Sequence, residues 1–185
     1  MPTKKTNSFR LFEQAKETSN PRVGTLSEQL IRLRQKNIAE SLSDFEGSAH
    51  KLEHVKSFAG VEFIDDARST TANAVWYSLQ SMTKPTVWIT NIDSPELITE
   101  DILGEIRRTV KEVVLQGVYN IDVYQIIAEM GIPVMMTMSM EDAVNHAFYA
   151  CQKGYAVLYS PGIHGNSQIT YRERGDRFKA SVAQL

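Results

Sequence analysis

Gly60-Val-Glu-Phe-Ile-Asp-Asp-Ala-Arg-Ser-Thr-Thr-Ala-Asn-Ala74 sets a strand against a helix with a polar cluster between them. Val61, Phe63 and Ile64 make a short apolar run, in part β-branched, of the kind found in buried strands. Two carboxylates, an arginine and three hydroxyl residues follow, and from Ala74 the apolar residues take helical spacing. Open α/β sheets place their ligands at such a junction, between the carboxyl end of a strand and the next helix. The helix end there offers unpaired N–H groups and positive partial charge. Asp66 can accept from a ribose hydroxyl, and Arg68 can pair with a carboxylate or phosphate. An ordinary strand-to-helix turn capped by Ser or Thr accounts for the same residues, as does an ion pair between Asp66 and Arg68. The pattern alone leaves these readings open.

Upstream, Leu52 to Phe58 alternates like a strand, and Ala59-Gly60 is a turn, which predicts a hairpin with Val61–Asp65. Downstream, a helix is expected from about Thr71 to Met82, with Val75, Leu79 and Met82 on one side. Thr86–Thr90 reads as a strand after Pro85. A helix carrying Ile98, Ile102, Ile106 and Val110 follows the Asp93-Ser-Pro95 loop. Val113–Leu115 is a strand closed by Gly117, and Asn120 caps a helix through Met130. Pro133–Met136 is a short strand. Ser139-Met-Glu-Asp142 opens a helix with Ala143, Ala147 and Ala150, Ala156–Tyr159 is the last strand, and a terminal helix is expected after Gly175. Alternating strands and helices with short links predict an α/β fold. It is Rossmann-like, a mostly parallel sheet with helices on both faces. Right-handed crossovers put the carboxyl ends of the strands on one rim. The loops Asp65–Thr71, Thr90–Pro95 and Ser160–Ser167 share that rim.

Ahead of this domain, residues 1–46 read as an arm and a helix; residues 47–185 form the α/β domain. Thr25-Leu-Ser-Glu28 is a capping box, and Leu26, Leu30, Leu33 and Ile38 are spaced for one apolar face. Phe9, Leu11 and Phe12 give the polar arm a few docking residues. Over 185 residues the formal charge is −2, which leaves no basic footprint for nucleic acid. The single cysteine, Cys151, excludes an internal disulfide and fits a reducing compartment. No apolar run is long enough for a bilayer. Met1-Pro-Thr-Lys-Lys5 lacks the apolar segment of a secretory signal. A cytoplasmic protein with no membrane partner is the expectation. His50 and His54 read as structural, and His146 sits in a helix with no partner at a spacing that suits a metal site. On the third rim loop, Ser160 and His164 are weaker candidates. His164, near Gly162 and Gly165, fits either a ligand contact or an exposed loop histidine.

Taken together, several segments resemble the C-terminal domain of the Mur ligases, and within that family the D-glutamate-adding branch, MurD. From Ile38 the chain reads Ile-Ala-Glu-Ser-Leu-Ser-Asp-Phe-Glu-Gly47. His50-Lys-Leu-Glu53 is similar to the family's His-Arg-x-Glu. Phe63-Ile-Asp-Asp-Ala-Arg-Ser-Thr-Thr71 is similar to Phe-Ile-Asn-Asp-Ser-Lys-Ala-Thr-Asn. Tyr159-Ser-Pro-Gly162 and Tyr171-Arg-Glu-Arg-Gly-Asp-Arg-Phe178 resemble Leu-Ser-Pro-Ala and Phe-x-x-Arg-Gly-x-x-Phe. The resemblance implies nucleotide contacts for Lys51, near adenine, and for Asp66, at the ribose. It implies contacts to the incoming amino acid for Arg68, Thr70 and Tyr171.

Departures from the family are equally specific. The family's second rim loop, Gly-Gly-x-x-Lys, carries a lysine for the amino-acid carboxylate. Here Thr90-Asn-Ile-Asp-Ser-Pro95 has neither the lysine nor the glycine pair, and Asp93 repels a carboxylate. Arg68 in place of lysine keeps the charge but not the shape. No Gly-x-x-x-x-Gly-Lys-[Ser/Thr] stretch occurs in the sequence, so the phosphate grip that phosphoryl transfer depends on is absent from it. The resemblance therefore implies a stand-alone, degenerate MurD-like domain, with a ligand-binding or regulatory role linked to peptidoglycan precursor synthesis. It is not expected to act as an enzyme alone. One alternative is the amino-acid-binding subunit of a split ATP-dependent amide ligase acting in trans. Another is an oligomerising interaction module. No intrinsic cofactor is expected, with ATP or ADP and Mg entering only where an ATP-binding Mur ligase partner supplies the phosphate-binding domain. A homo-oligomer through the N-terminal region is the other expected partnership.

Overall fold

The computed structural model describes residues 28–38, 48–117, 120–163 and 169–185. Residues 28–38 form a helix, α1, with Leu30, Ile31 and Leu33 all more than half exposed. The arm residues Phe9, Leu11 and Phe12, the capping box at Thr25 and the loop residue His164 lie outside the described residues.

The α/β domain is built on one six-stranded sheet. Its strands are β1 (Glu53–Phe58), β2 (Val61–Asp65), β3 (Thr86–Thr90), β4 (Val110–Gln116), β5 (Val134–Thr137) and β6 (Ala156–Tyr159), in the order β1-β2-β6-β3-β4-β5. β1 and β2 pair antiparallel, and every other pairing is parallel. At the hairpin, Ala59 and Gly60 have φ of 50° and 84°. Two consecutive positive φ values give a two-residue turn whose twist matches the strands it joins.

Four helices open on a hydroxyl or amide residue that accepts from the first turn. Thr71 caps α2 (Ala72–Gln80), Thr99 caps α3 (Glu100–Thr109), Asn120 caps α4 (Ile121–Glu129) and Ser139 caps α5 (Met140–Ala150). Thr170 and Glu173 form a reciprocal capping box at the start of α6 (Tyr171–Ala183). Here the structure corrects the sequence reading, which began this helix after Gly175. The box starts it five residues earlier, at Tyr171, and Gly175 lies inside it. Val110 is likewise the first residue of β4, not the last of a helix.

The central strands are buried on both sides, as parallel strands covered by crossover helices must be. Val87, Ile89, Val114, Val157 and Tyr159 pack with Ala143, Val144 and Ala147 of α5 and with Phe178 and Val182 of α6. The alternating residues Trp88, Val113, Leu115 and Leu158 are also buried and point to the opposite face. α2 has no basic residue in its last turn. Arg108 of α3 supplies the missing donors, reaching the carbonyls of Leu79, Gln80 and Met82 at 3.0 Å each. Among the described residues, no helix is long and apolar enough to cross a membrane.

Candidate functional site

The carboxyl ends of β2, β6, β3 and β4 bring the three predicted loops to one rim. At the first loop, β2 ends in Asp65, and the Asp66 N–H donates to the Tyr159 carbonyl of the neighbouring strand at 2.8 Å. Successive side chains in an extended backbone point to opposite sides, so the two adjacent carboxylates serve different partners.

Asp66 faces inward and is fully buried. Its Oδ1 lies 3.3 Å from Lys51 Nζ and accepts from the Leu52 N–H at 3.2 Å. Its Oδ2 accepts from the hydroxyls of Ser69 and Ser78. Lys51 is itself 4% exposed, with its ammonium 5.4 Å from the centre of the Tyr77 ring. Burial pushes the Asp66 carboxyl above the ordinary aspartate range, and the Lys51 ammonium and two serine hydroxyls pull it only part of the way back. Lys51 and Asp66, the two residues given nucleotide contacts by resemblance, thus brace the loop from within. A ribose hydroxyl would reach Asp66 only by displacing Ser69 or Ser78. Asp66 pairs with Lys51, and the ion pair with Arg68 is not formed.

Asp65 holds His50. His50 Nδ1 donates to Asp65 Oδ2 at 2.7 Å, and the Ala67 N–H donates to Oδ1 at 3.0 Å. The other ring nitrogen of His50 lies 3.6 Å from exposed Asp176. Burial raises the Asp65 carboxyl, with the His50 bond opposing it. His50 and Leu52 carry φ of 62° and 45°, a left-handed backbone on either side of Lys51 that is uncommon for residues with a side chain. That kink lets consecutive side chains, His50 and Lys51, reach consecutive carboxylates. Gly175 of α6 closes over the pair: a Cβ there would sit 2.0 Å from His50 Nδ1 and 2.7 Å from Asp65 Oδ2. Ligand atoms of His50, Glu53 and Asp65 lie within 4.8 Å of one another. The ammonium of Lys179, 2.6 Å from Glu53 and 4.0 Å from Asp65, already supplies a cation there.

Arg68 and Tyr171 come together at the rim. The guanidinium lies 5.1 Å from the Tyr171 ring centre and donates to Ser48 Oγ at 3.1 Å. The Tyr171 and His50 rings form a T-shaped pair with centres 6.0 Å apart. Arg172 donates to the Tyr171 hydroxyl at 3.3 Å, and that contact lowers its pKa. Thr70 lies half-buried between Arg68 and the Thr71 cap.

At the second loop, Asn91 Nδ2 donates to the carbonyl of Gln116 and to its side-chain oxygen, while the Tyr159 hydroxyl donates to Asn91 Oδ1 at 3.1 Å. Ser94 bonds to Glu96, and Asp93 is exposed. On the third loop Ser160 is fully buried, and among the described residues its hydroxyl has no hydrogen-bond partner. His50, Asp65, Ser69, Ser78 and Gly175 were not singled out from the sequence as parts of this site. The two neighbouring pairs His50-Lys51 and Asp65-Asp66 were the signal available, but nothing local says which partner each takes.

No protein-family profile matches the chain. The UDP-N-acetylmuramoylalanine–D-glutamate ligase of Bacteroides thetaiotaomicron is 35% identical over 162 residues, covering 86% of this chain and 36% of the ligase. The same-named ligase of Christiangramia forsetii is 32% identical over 167 residues, 90% of this chain and 38% of the ligase. A crystal structure of UDP-N-acetylmuramate–alanine ligase MurC from Thermotoga maritima superposes with a TM-score of 0.49 at 15% identity, covering 78% of this chain and 32% of that one. The chain spans a little over a third of the length of the curated relatives it matches. It is a relative of the Mur ligases, matching them over their C-terminal domain.

Proposed function

We propose that this domain binds a small carboxylate-bearing ligand at the Arg68–Thr70–Tyr171 rim, in a binding or regulatory role tied to peptidoglycan precursor synthesis. One observation carries this reading. Arg68 is held by Tyr171 and Ser48, and among the described residues no carboxylate lies within ion-pair distance of it. A rim guanidinium oriented by an aromatic face and left without a counter-ion is suited to an external carboxylate. The role is a degenerate one. Where the family carries a second cation, this rim has Ser94 bonded to Glu96 beside exposed Asp93. A ligand with two carboxylates therefore meets attraction at one end and repulsion at the other. The buried Lys51–Asp66 brace offers little to a nucleotide, so weak or no ATP binding by this domain accompanies the reading.

Calorimetry with D-glutamate, UDP-muramoyl peptides, ATP and ADP tests it. Heat is expected with a carboxylate ligand and is lost in Arg68→Ala. Absence of heat with all four rejects the ligand-binding role and leaves a protein–protein one. A second reading is favoured by the same retained residues: the domain supplies the amino-acid side of an amide ligase in trans to an ATP-binding partner, through an acyl phosphate. ATP turnover by such a partner, unchanged on adding this protein, rejects that version.

A further inference from the structure

Charge and apolar surface are distributed unevenly over this chain, and the two extremes match. From Asn120 to Ala150 the sequence holds the carboxylates Asp122, Glu129, Glu141 and Asp142 and neither lysine nor arginine. This segment supplies β5, the edge strand of the sheet, with one side unpaired by any other strand among the described residues. Met135, Met136 and Met138 are 38%, 36% and 68% exposed, and Ile121, at the start of α4, is 57% exposed. The Gly117 N–H donates to the Thr137 carbonyl at 2.8 Å, which holds the end of β4 beside the end of β5. All four carboxylates are exposed on the helices that flank this edge. At the opposite edge, β1 carries Glu53, His54 and Lys56, charges that discourage further pairing. β5 carries none.

α1 has the complementary character. Leu30, Ile31 and Leu33 are 65%, 53% and 54% exposed, and Arg32, Arg34 and Lys36 stand against the single carboxylate Glu28. Pairing β5 with β5 of another copy would bring acidic flanks together, and pairing α1 with α1 would bring basic ones together. Like charges in contact oppose both arrangements. Pairing α1 with the β5 edge puts apolar surface on apolar surface and the exposed Arg32 and Arg34 beside exposed carboxylates.

We propose that the Ile121–Met138 edge is a docking surface for a basic amphipathic helix, and that its occupant is α1 of a second copy. Exchanged reciprocally, each copy's helix seats on the other's edge, and a two-fold dimer closes with two equivalent contacts. Methionine suits such a surface, because its flexible thioether adapts to a helix laid across it.

Sedimentation of the full chain over a concentration series tests this. A monomer–dimer equilibrium is expected, weakening as salt is raised. Leu30→Asp/Leu33→Asp and Met136→Asp/Met138→Asp should each weaken the dimer at least about tenfold, with thermal melts confirming that both variants fold. Mixing the two variants should restore a heterodimer, because one intact helix–edge contact remains in the mixed pair. As an independent arm, Arg32→Glu/Arg34→Glu should weaken the dimer, and Asp122→Lys/Glu141→Lys in the same chain should recover it. A wild-type chain that stays monomeric, as it would with α1 seated in its own chain or reserved for another protein, overturns the proposal. So do edge variants that leave the dimer intact, or a mixture that fails to associate.

Discussion

Gly175→Ala should destabilise this domain, although glycine to alanine inside a helix ordinarily does the reverse. Gly175 lies within α6, between the first turn and Phe178. On helix propensity alone, alanine there would contribute about 0.5–1 kcal/mol. The added Cβ would sit 2.0 Å from His50 Nδ1, 2.7 Å from His50 Cε1 and 2.7 Å from Asp65 Oδ2. These are ring and carboxylate atoms of buried side chains, not the tip of a mobile one. Either α6 shifts or His50 leaves Asp65. Overpacking costs about 1–3 kcal/mol. A buried carboxylate that loses its donor costs about 1–3 kcal/mol more. Set against the propensity gain, the net loss is roughly 1–5 kcal/mol, or on the order of 2–4 °C in Tm per kcal/mol for a chain this size. Urea unfolding followed by the fluorescence of buried Trp76 and Trp88 measures it. Gly104 of α3 supplies the internal control. A Cβ there meets nothing within 4 Å, so Gly104→Ala should stabilise by about 0.5–1 kcal/mol. In a His50→Gly background, most of the cost of Gly175→Ala should vanish. If Gly175→Ala is as stable as wild type, or its cost is unchanged without His50, the packing account of this corner is wrong.

Lys51→Met should cost about 3–5 kcal/mol in urea unfolding, because it strands the fully buried Asp66 carboxylate without its ammonium; a loss near zero would place Lys51 at the surface. Burial holds the Asp66 pKa above its unfolded value, so the folded chain binds that proton more tightly than the unfolded one. Its contribution to stability is therefore full at low pH and is lost as pH rises from about 3.9 through the folded value. Asp66→Asn should remove that downward slope from the stability–pH curve, whatever its effect on absolute stability, and an unchanged slope contradicts the assignment. Burial, with Glu112 nearby, pushes the Cys151 thiol up to about 12. At pH 8 its labelling by a thiol reagent should be on the order of a thousandfold slower in the native protein than in urea, and comparable rates would show that the thiol is not protected.

Much of the fold was legible because its signals are local. Asn120 and Ser139 cap the helices they were expected to cap, since capping needs only a side-chain oxygen and the next few N–H groups. Ala156–Tyr159 and Thr86–Thr90 are strands over the expected residues, because short apolar β-branched runs between breakers allow little else. The hairpin at Ala59-Gly60 likewise needs only two residues that tolerate positive φ. The start of α6 was misplaced because Gly175 reads as a break when its neighbours in space are unknown. The site was legible only as a rim and a set of names. Arg68 and Tyr171 meet there across the domain.

Sequence alone determined the order of strands and helices, the caps at Asn120 and Ser139 and the turn at Ala59-Gly60, because each depends on contacts within a few residues. Tertiary structure decided the strand order β1-β2-β6-β3-β4-β5, and it decided that Asp66 turns inward to Lys51 while Asp65 takes His50. It also decided that a helical glycine is kept for the space it leaves beside them. These depend on which side chains the sheet brings together from distant parts of the chain. A buried carboxylate takes the donors that packing places beside it, and no local pattern names them.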